Sequence, residues 1–137
     1  MRQTICPPSL EKAATAAGLS PAVRAGDFIY FTGAVGVTPD GSMPESAAVQ
    51  TKVALGKIAD VLGFLGADVS AITDVTSYHV DIARHFDSTQ NAMTQALGSP
   101  LPAWTAVEVK GLRRPGALVE FRCVAYHPAS DTDGEAA

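Results

Sequence analysis

The sequence of 137 residues has little cysteine, and its two cysteines lie too far apart for a C-x-x-C motif. Cys6 and Cys123 therefore indicate neither a redox pair nor a disulfide framework. No apolar run approaches the roughly 18 residues of a membrane-spanning helix, so a membrane protein is not expected. The first residues (M-R-Q-T-I-C-P-P) include no apolar segment of the kind that signal peptides carry, and a cytoplasmic location is expected.

Basic residues are also few, with 10 Lys and Arg against 14 Asp and Glu and a net charge of −4. Neutralisation of phosphates supplies most non-specific affinity for nucleic acid, so nucleic acid is not an expected partner. The three histidines form no H-E-x-x-H motif, and no glycine-rich run precedes a helix at the spacing of a phosphate loop. The sequence therefore predicts no metal site and no cofactor.

The sequence does have enough apolar residues for one packed domain: 47% are hydrophobic and 18% charged. We assign this domain to residues 1–127. Residues 128–137 are polar and acidic, which is typical of a disordered tail.

Alternation and helical spacing predict six elements in the order β, α, β, α, β, β, and the pattern leaves open an extra strand near Thr4 or Ala22. They are a strand at 27–35, a helix at 44–66, a strand at 73–82, a helix at 86–97 and strands at 104–109 and 118–126. The last two strands are interpreted as a hairpin with a long loop. The expected fold is α+β, with a mixed sheet and two helices on one of its faces.

In that hairpin, alternation predicts which side chains point away from the helices. The predicted far face carries Trp104, Ala106, Glu108, Glu120 and Arg122, with Ser77 and His79 on the same kind of face. In the simplest register Glu108 would lie opposite Glu120. This mixed face is either a contact between identical subunits, with polar residues in the clefts, or a solvated sheet face with an incidental tryptophan.

Three stretches resemble the Rid family of reactive intermediate deaminases (YjgF-like proteins). They are L-S-P-A-V-R-A-G-D-F-I-Y-F-T-G, P-A-W-T-A-V-E-V and L-V-E-F-R-C-V-A-Y, and the resemblance runs from about Leu19 to Tyr126. It implies a chorismate-mutase-like α+β subunit in a homotrimer with clefts between subunits. It also implies hydrolysis of small enamines and imines to oxo acids and ammonia, without metal or cofactor.

The resemblance implies a catalytic glutamate and a pocket around it, and part of this set is present. Glu120 matches the glutamate that positions or activates water. Gly33 matches the glycine of the substrate-binding turn, and Thr32 replaces the usual serine.

Other pocket positions depart from the family pattern. Leu19 replaces a tyrosine, Ala34 replaces a glutamine, and Trp104 replaces the arginine that holds the substrate carboxylate. An indole cannot form a bidentate clamp, and losing a charge-assisted contact removes roughly 1.5–3 kcal/mol of anchoring. Simple 2-imino acids are therefore not the expected substrates. Trp104 is expected to stack against a flat ligand instead.

Two further charged residues are candidates for the site. Arg122 could supply a positive charge from the predicted far face, or could pair with a neighbouring carboxylate. Glu108 could raise the pKa of one carboxyl if it lies beside Glu120, or could be neutralised by basic neighbours.

Function remains open between two main hypotheses: a cofactor-free hydrolase or deaminase, and a non-catalytic protein that binds a small ligand or a partner on the same trimer. The endoribonuclease activity ascribed to some relatives is disfavoured by the acidic composition.

Overall fold

In a computed structural model that describes residues 1–130, the chain forms one mixed sheet and three α-helices. The strands are β1 (Gln3–Ile5), β2 (Ala22–Ala25), β3 (Phe28–Phe31), β4 (Ala34–Val35), β5 (Ile72–His79), β6 (Ala103–Glu108) and β7 (Val119–Tyr126). The helices are α1 (Glu11–Ala17), α2 (Ala47–Phe64) and α3 (Ile82–Leu97), with short 3-10 turns at Pro8–Leu10 and Val69–Ala71. Within 1–130, no helix has both the length and the apolar character needed to cross a bilayer.

The sheet has the strand order β1-β2-β3-β7-β5-β6, with β4 also paired to β7. The β5–β6 pair is parallel, and every other pair is antiparallel. Helices α2 and α3 pack against each other and against the same sheet face, as the fold class predicts. The opposite face, called the open face below, is covered by no element of residues 1–130.

Helix α2 follows from local signals. The Ser46 side chain accepts a hydrogen bond from the N–H of Val49 at 3.3 Å, which caps the first turn. Gly66 has a φ of +77°, a left-handed conformation that ends the helix at low cost. The buried side of the helix, which includes Leu55 and Leu62, meets the sheet.

The predicted hairpin of the last two strands is wrong. Strand β5 lies between β6 and β7, so β6 and β7 are not neighbours. Helix α3 connects β5 to β6, and a helical crossover of this length joins parallel strands rather than antiparallel ones. As a consequence, the side-chain directions predicted for β6 are reversed.

The strand predicted at 27–35 is interrupted by a β-bulge. Tyr30 is paired with Val124 and Ala34 with Phe121. The chain therefore advances by four residues from β3 to β4 while β7 opposite advances by only three. The extra residue falls between Phe31 and Ala34 and shifts the alternation by one position. This bulge sets the directions of the side chains that follow it.

The structure also differs from the prediction at two other places. Helix α1 was not predicted, and α3 begins at Ile82 rather than at 86. In the predicted tail, the N–H of Ala129 donates to the Asp27 carboxylate at 3.2 Å. The rest of that predicted disordered segment, 131–137, lies outside the described residues.

Candidate functional site

Glu120 lies in the middle of the sheet on its open face. Its neighbours along β7, Val119 and Phe121, have no exposed surface and point toward the helices, so Glu120 points the other way. Its side chain is half-buried. No hydrogen bond or ion pair joins its carboxylate to any of residues 1–130, which leaves the group available to a ligand or to water.

Gly33 lies directly against this carboxylate. A Cβ atom built on Gly33 would lie 2.7 Å from Oε2 of Glu120 and 2.9 Å from its Cδ. Such distances are too short for a real contact, so the position leaves no room for a side chain while the carboxylate stays in place. The β-bulge that contains Gly33 and the glutamate of β7 thus form one corner, which we call the Glu120 corner.

Thr32 ties this corner to the loop before β2. Its hydroxyl donates to the carbonyl of Ser20 at 2.5 Å, and its N–H donates to the carbonyl of Pro21 at 3.0 Å. Leu19, at the start of that loop, is 42% exposed. It lines an open groove of about 360 Å³ together with Cys6 and Glu11. Leu19 therefore lies beside the segment that carries the corner.

Ala34 does not take part in the corner through its side chain. The β-bulge places Ala34 opposite Phe121, on the helix-covered face, where it belongs to the buried core. Its neighbour Val35 is the residue paired with Glu120.

Two more side chains share the open face with Glu120. Arg122 is exposed and has no hydrogen bond or ion pair to any of residues 1–130. Tyr78 of β5 is the direct partner of Glu120 in the antiparallel β5–β7 register. Sequence reasoning missed Tyr78 because it assigned Ser77 and His79 to the far face; the alternation itself was correct, and only its orientation was reversed.

Trp104 lies on the opposite face from Glu120, against the prediction. In the parallel register it is paired with Val75, which is fully buried under the helices. Its indole N–H donates to the Ser77 hydroxyl at 2.7 Å. Its ring stacks on Phe86 of α3, with centroids 5.4 Å apart and planes 1° from parallel. The side chain is half-buried, and one ring face and its hydrogen-bond donor are already occupied.

Ser77 and His79 continue this buried polar contact, so their predicted place on the far face is wrong. The Ser77 hydroxyl lies 2.7 Å from Nε2 of His79. His79 has no exposed surface, and its Nδ1 has no hydrogen-bond partner in residues 1–130. Burial lowers the pKa of His79, because the charged imidazolium loses its hydration there.

Glu108 does not pair with Glu120, and the predicted carboxylate pair is wrong. Glu108 is aligned with His79 at the edge of the sheet, whereas Glu120 is aligned with Tyr78. Its carboxylate accepts the N–H of Ile82 at 3.0 Å, where α3 begins. An acidic group at a helix N-terminus satisfies a free donor and interacts favourably with the helix dipole. This contact explains why α3 starts earlier than the sequence predicts.

The predicted site residues thus fall into two groups. Glu120 and Arg122 lie on the open face, and Gly33, Thr32 and Leu19 belong to the segments next to Glu120. Ala34, Trp104 and Glu108 lie on the helix-covered side. A half-buried carboxylate with no protein partner can act as a general base toward water. Residues 1–130 contain no group of three or more His, Cys, Asp or Glu side chains placed to hold a metal ion.

Comparisons with known proteins give a consistent result. The sequence model of the family described as Endoribonuclease L-PSP matches residues 10–127. The chain is 32% identical over 110 residues to the RutC family protein YjgH of Escherichia coli, covering 80% of this chain and 82% of that one. It is 29% identical over 120 residues to Reactive Intermediate Deaminase A, chloroplastic, of Arabidopsis thaliana, covering 85% of this chain and 63% of the other.

A solved structure shows the same fold. Rv2704 of Mycobacterium tuberculosis, a member of the YjgF/YER057c/UK114 family, superposes with a TM-score of 0.76 at 32% identity. The alignment covers 92% of this chain and 99% of that one.

Proposed function

The chain belongs to the Endoribonuclease L-PSP family, and from that premise we propose that it is a cofactor-free deaminase. It hydrolyses small enamine or imine compounds other than simple 2-imino acids. The similarity to a protein named Reactive Intermediate Deaminase A supports this type of reaction. The observation that carries the proposal is the Glu120 carboxylate, which is half-buried, has no hydrogen bond or ion pair to any of residues 1–130, and is packed against Gly33.

Glu120 acts as the general base in this reaction. It accepts a proton from a water molecule while the water oxygen bonds to the carbon of the C=N group, and the C=N π electrons move to nitrogen. The nitrogen takes up the proton held by Glu120, which regenerates the carboxylate. The resulting aminoalcohol then loses its nitrogen as ammonia, and a carbonyl compound remains. In total, one imine and one water molecule are converted to one carbonyl compound and one ammonia, and the reaction needs no electron acceptor or donor.

The expected substrate has no carboxylate that must be clamped. Trp104 stands where the family places an arginine, and its single N–H is already bound to Ser77. What Trp104 can offer a ligand is therefore the part of its apolar surface that Phe86 does not cover. Arg122 remains a candidate contact for a substrate that carries a negative group elsewhere.

The active form is proposed to be a homotrimer with its sites in clefts between subunits. The open face carries four large apolar or aromatic side chains that are at least 38% exposed: Phe28, Tyr30, Val107 and Tyr126. Exposed apolar groups that cluster on one face are typical of an interface. Because Glu120 and Trp104 lie on opposite faces of one subunit, a site that uses both needs Trp104 from a neighbouring subunit.

A cytoplasmic location belongs to the same proposal. Cys6 and Cys123 are both free thiols, which is typical of a reducing compartment. Small molecules are the expected partners, with no role for nucleic acid or membranes.

The alternative is a non-catalytic protein that binds a small ligand or a partner on the same trimer. The contacts of Trp104 favour this alternative. Trp104 stands at the position of the family's arginine, but its N–H is bound to Ser77 and its ring is stacked on Phe86 within the same subunit. A nuclease role, which the family description and several solved relatives name, is disfavoured by the net charge of −4.

The test is ammonia release from imines generated during the assay. A flavin-dependent amine oxidase acting on benzylamine supplies benzaldimine, which is neutral and flat, and an amino-acid oxidase acting on alanine supplies 2-iminopropanoate. We expect the wild-type protein to accelerate ammonia release from benzaldimine more than from 2-iminopropanoate. Glu120→Ala should accelerate neither reaction. Glu45→Ala, an exposed glutamate before α2, is the matched control and should behave like the wild type. A panel of neutral imines with no acceleration, or equal acceleration by Glu120→Ala, would favour the non-catalytic alternative.

A further inference from the structure

Tyr78 lies directly opposite Glu120 in the sheet. The two residues are register partners in the antiparallel β5–β7 pair. Their neighbours Ser77 and Phe121, also register partners, are fully buried under the helices, so both Tyr78 and Glu120 point to the open face. Cβ atoms of directly opposed residues lie about 4.5–5.5 Å apart, close enough for both side chains to contact one small ligand.

The Tyr78 hydroxyl has no hydrogen bond to any of residues 1–130. The side chain is half-buried, unlike that of Tyr30 on the same face, which is 40% exposed. Partly buried phenols usually have a hydrogen-bond partner. The Glu120 carboxylate beside it also has no partner within the described chain. Tyr78 and Glu120 thus present a donor and an acceptor from directly opposed positions on the open face, and neither group is hydrogen-bonded within residues 1–130.

The chemistry of this pair differs from that of a carboxylate site. A phenol offers a single O–H donor without a positive charge, so it suits one neutral acceptor atom, such as a carbonyl oxygen or an imine nitrogen. A carboxylate would be held better by a guanidinium, which donates two hydrogen bonds in one plane. Arg122 is two residues from Glu120 along β7, opposite Thr76 rather than opposite Tyr78.

We propose that Tyr78 is a substrate-binding residue that donates a hydrogen bond to a neutral acceptor on the ligand at the Glu120 corner. This inference rests on the proposed function and specifies its ligand class: small, flat molecules whose polar anchor is uncharged. In that arrangement Tyr78 holds the acceptor while Glu120 faces the water that reacts.

The test compares two ligands that differ in the acceptor. Benzamide has a carbonyl oxygen and is not turned over by imine hydrolysis, whereas toluene has a similar ring and no acceptor. Binding of each is measured by isothermal titration to the wild type, to Tyr78→Phe and to the matched control Tyr30→Phe. Loss of one neutral hydrogen bond predicts that Tyr78→Phe weakens benzamide binding by about threefold to tenfold. Toluene binding should stay within about twofold for all three proteins, because the ring contacts are unchanged.

Two further measurements distinguish a role of Tyr78 in ligand binding from a purely structural role. The molecular mass in solution and the urea midpoint of Tyr78→Phe should match those of Tyr30→Phe, since the ring is kept. Equal benzamide affinity for the two variants would overturn the inference, and so would a wild type that binds no benzamide. If Glu120→Ala still abolishes ammonia release in either case, only the role of Tyr78 fails. If Glu120→Ala has no effect on turnover, the proposed function itself fails.

Discussion

Replacing Gly33 with alanine should move the Glu120 carboxylate and leave the fold almost unchanged. The new Cβ would lie 2.7 Å from Oε2 and 2.9 Å from Cδ of Glu120, atoms at the flexible end of a side chain. The backbone of Gly33 has no positive φ, so alanine fits its conformation. The carboxylate of Glu120 is therefore the group that moves to make room for the new Cβ.

The magnitude follows from two opposing effects. An unfavourable rotamer of Glu120 costs about 0.5–1.5 kcal/mol. Replacing glycine by alanine restricts the unfolded chain and stabilises by about 0.4–1 kcal/mol. We expect the free energy of unfolding of Gly33→Ala to stay within about 1 kcal/mol of the wild type, while Glu120-dependent ammonia release is lost.

Gly36→Ala is the matched control, because the same added atom meets the helix backbone there. Its Cβ would lie 2.6 Å from Cβ and 2.8 Å from the carbonyl oxygen of Gln50. Gln50 is fully buried and cannot move aside, since its side chain bonds to the backbone of Pro44, Gly116 and Leu118. Overpacking of this kind destabilises by about 1–3 kcal/mol or more.

Urea denaturation followed by the fluorescence of the single tryptophan measures both variants at equal protein concentration. Comparable destabilisation by Gly33→Ala and Gly36→Ala would contradict this prediction, because it would mean that Gly33 packs against rigid structure. Unchanged ammonia release in Gly33→Ala would refute it as well.

Three further predictions concern buried groups on the helix-covered face. Ser77→Ala removes the partner of buried His79 and should lower the free energy of unfolding by about 1–3 kcal/mol, measured by urea denaturation; a loss below about 0.5 kcal/mol would count against the contact. Burial lowers the pKa of His79 below its ordinary 6.5, so the unfolded chain binds more protons than the folded one in this pH range. The free energy of unfolding should therefore be highest above about pH 6.5 and should fall as the pH drops toward the pKa of His79 in the folded state. His79→Gln should weaken that dependence between pH 7 and 5.5, and an unchanged slope would contradict it. Burial, with a smaller effect of Asp74, raises the pKa of the Cys123 thiol to about 12, so a thiol reagent should label Cys6 alone in the native protein, and labelling of two thiols would refute this.

The parts of the fold that could be predicted are those set by local sequence. Helix α2 has a Ser46 cap, a regular apolar spacing and a terminating Gly66, all of which act within a few residues. The early start of α3 could not be predicted, because its first free N–H is satisfied by Glu108, a residue that is distant in sequence.

Part of the candidate site could also be predicted from the sequence. The family resemblance implies that Gly33 and Glu120 belong to one pocket, and the structure places Gly33 directly against the Glu120 carboxylate. The face of Trp104 was predicted wrongly, because alternation gives two faces without saying which one meets the helices. That choice depends on β6 lying beside β5 rather than β7. The inward turn of Ala34 depends on a single extra residue in the bulge, which apolar alternation does not show.

The most direct test of the account is a crystal structure of Glu120→Gln, which keeps the shape of the side chain and removes the base, soaked with benzamide. We expect benzamide at the open face, with its carbonyl oxygen within hydrogen-bond distance of the Tyr78 hydroxyl and its ring close to Gly33. Benzamide bound instead in the groove beside Leu19 and Cys6, or between α2 and α3, would contradict the assignment of the Glu120 corner as the site.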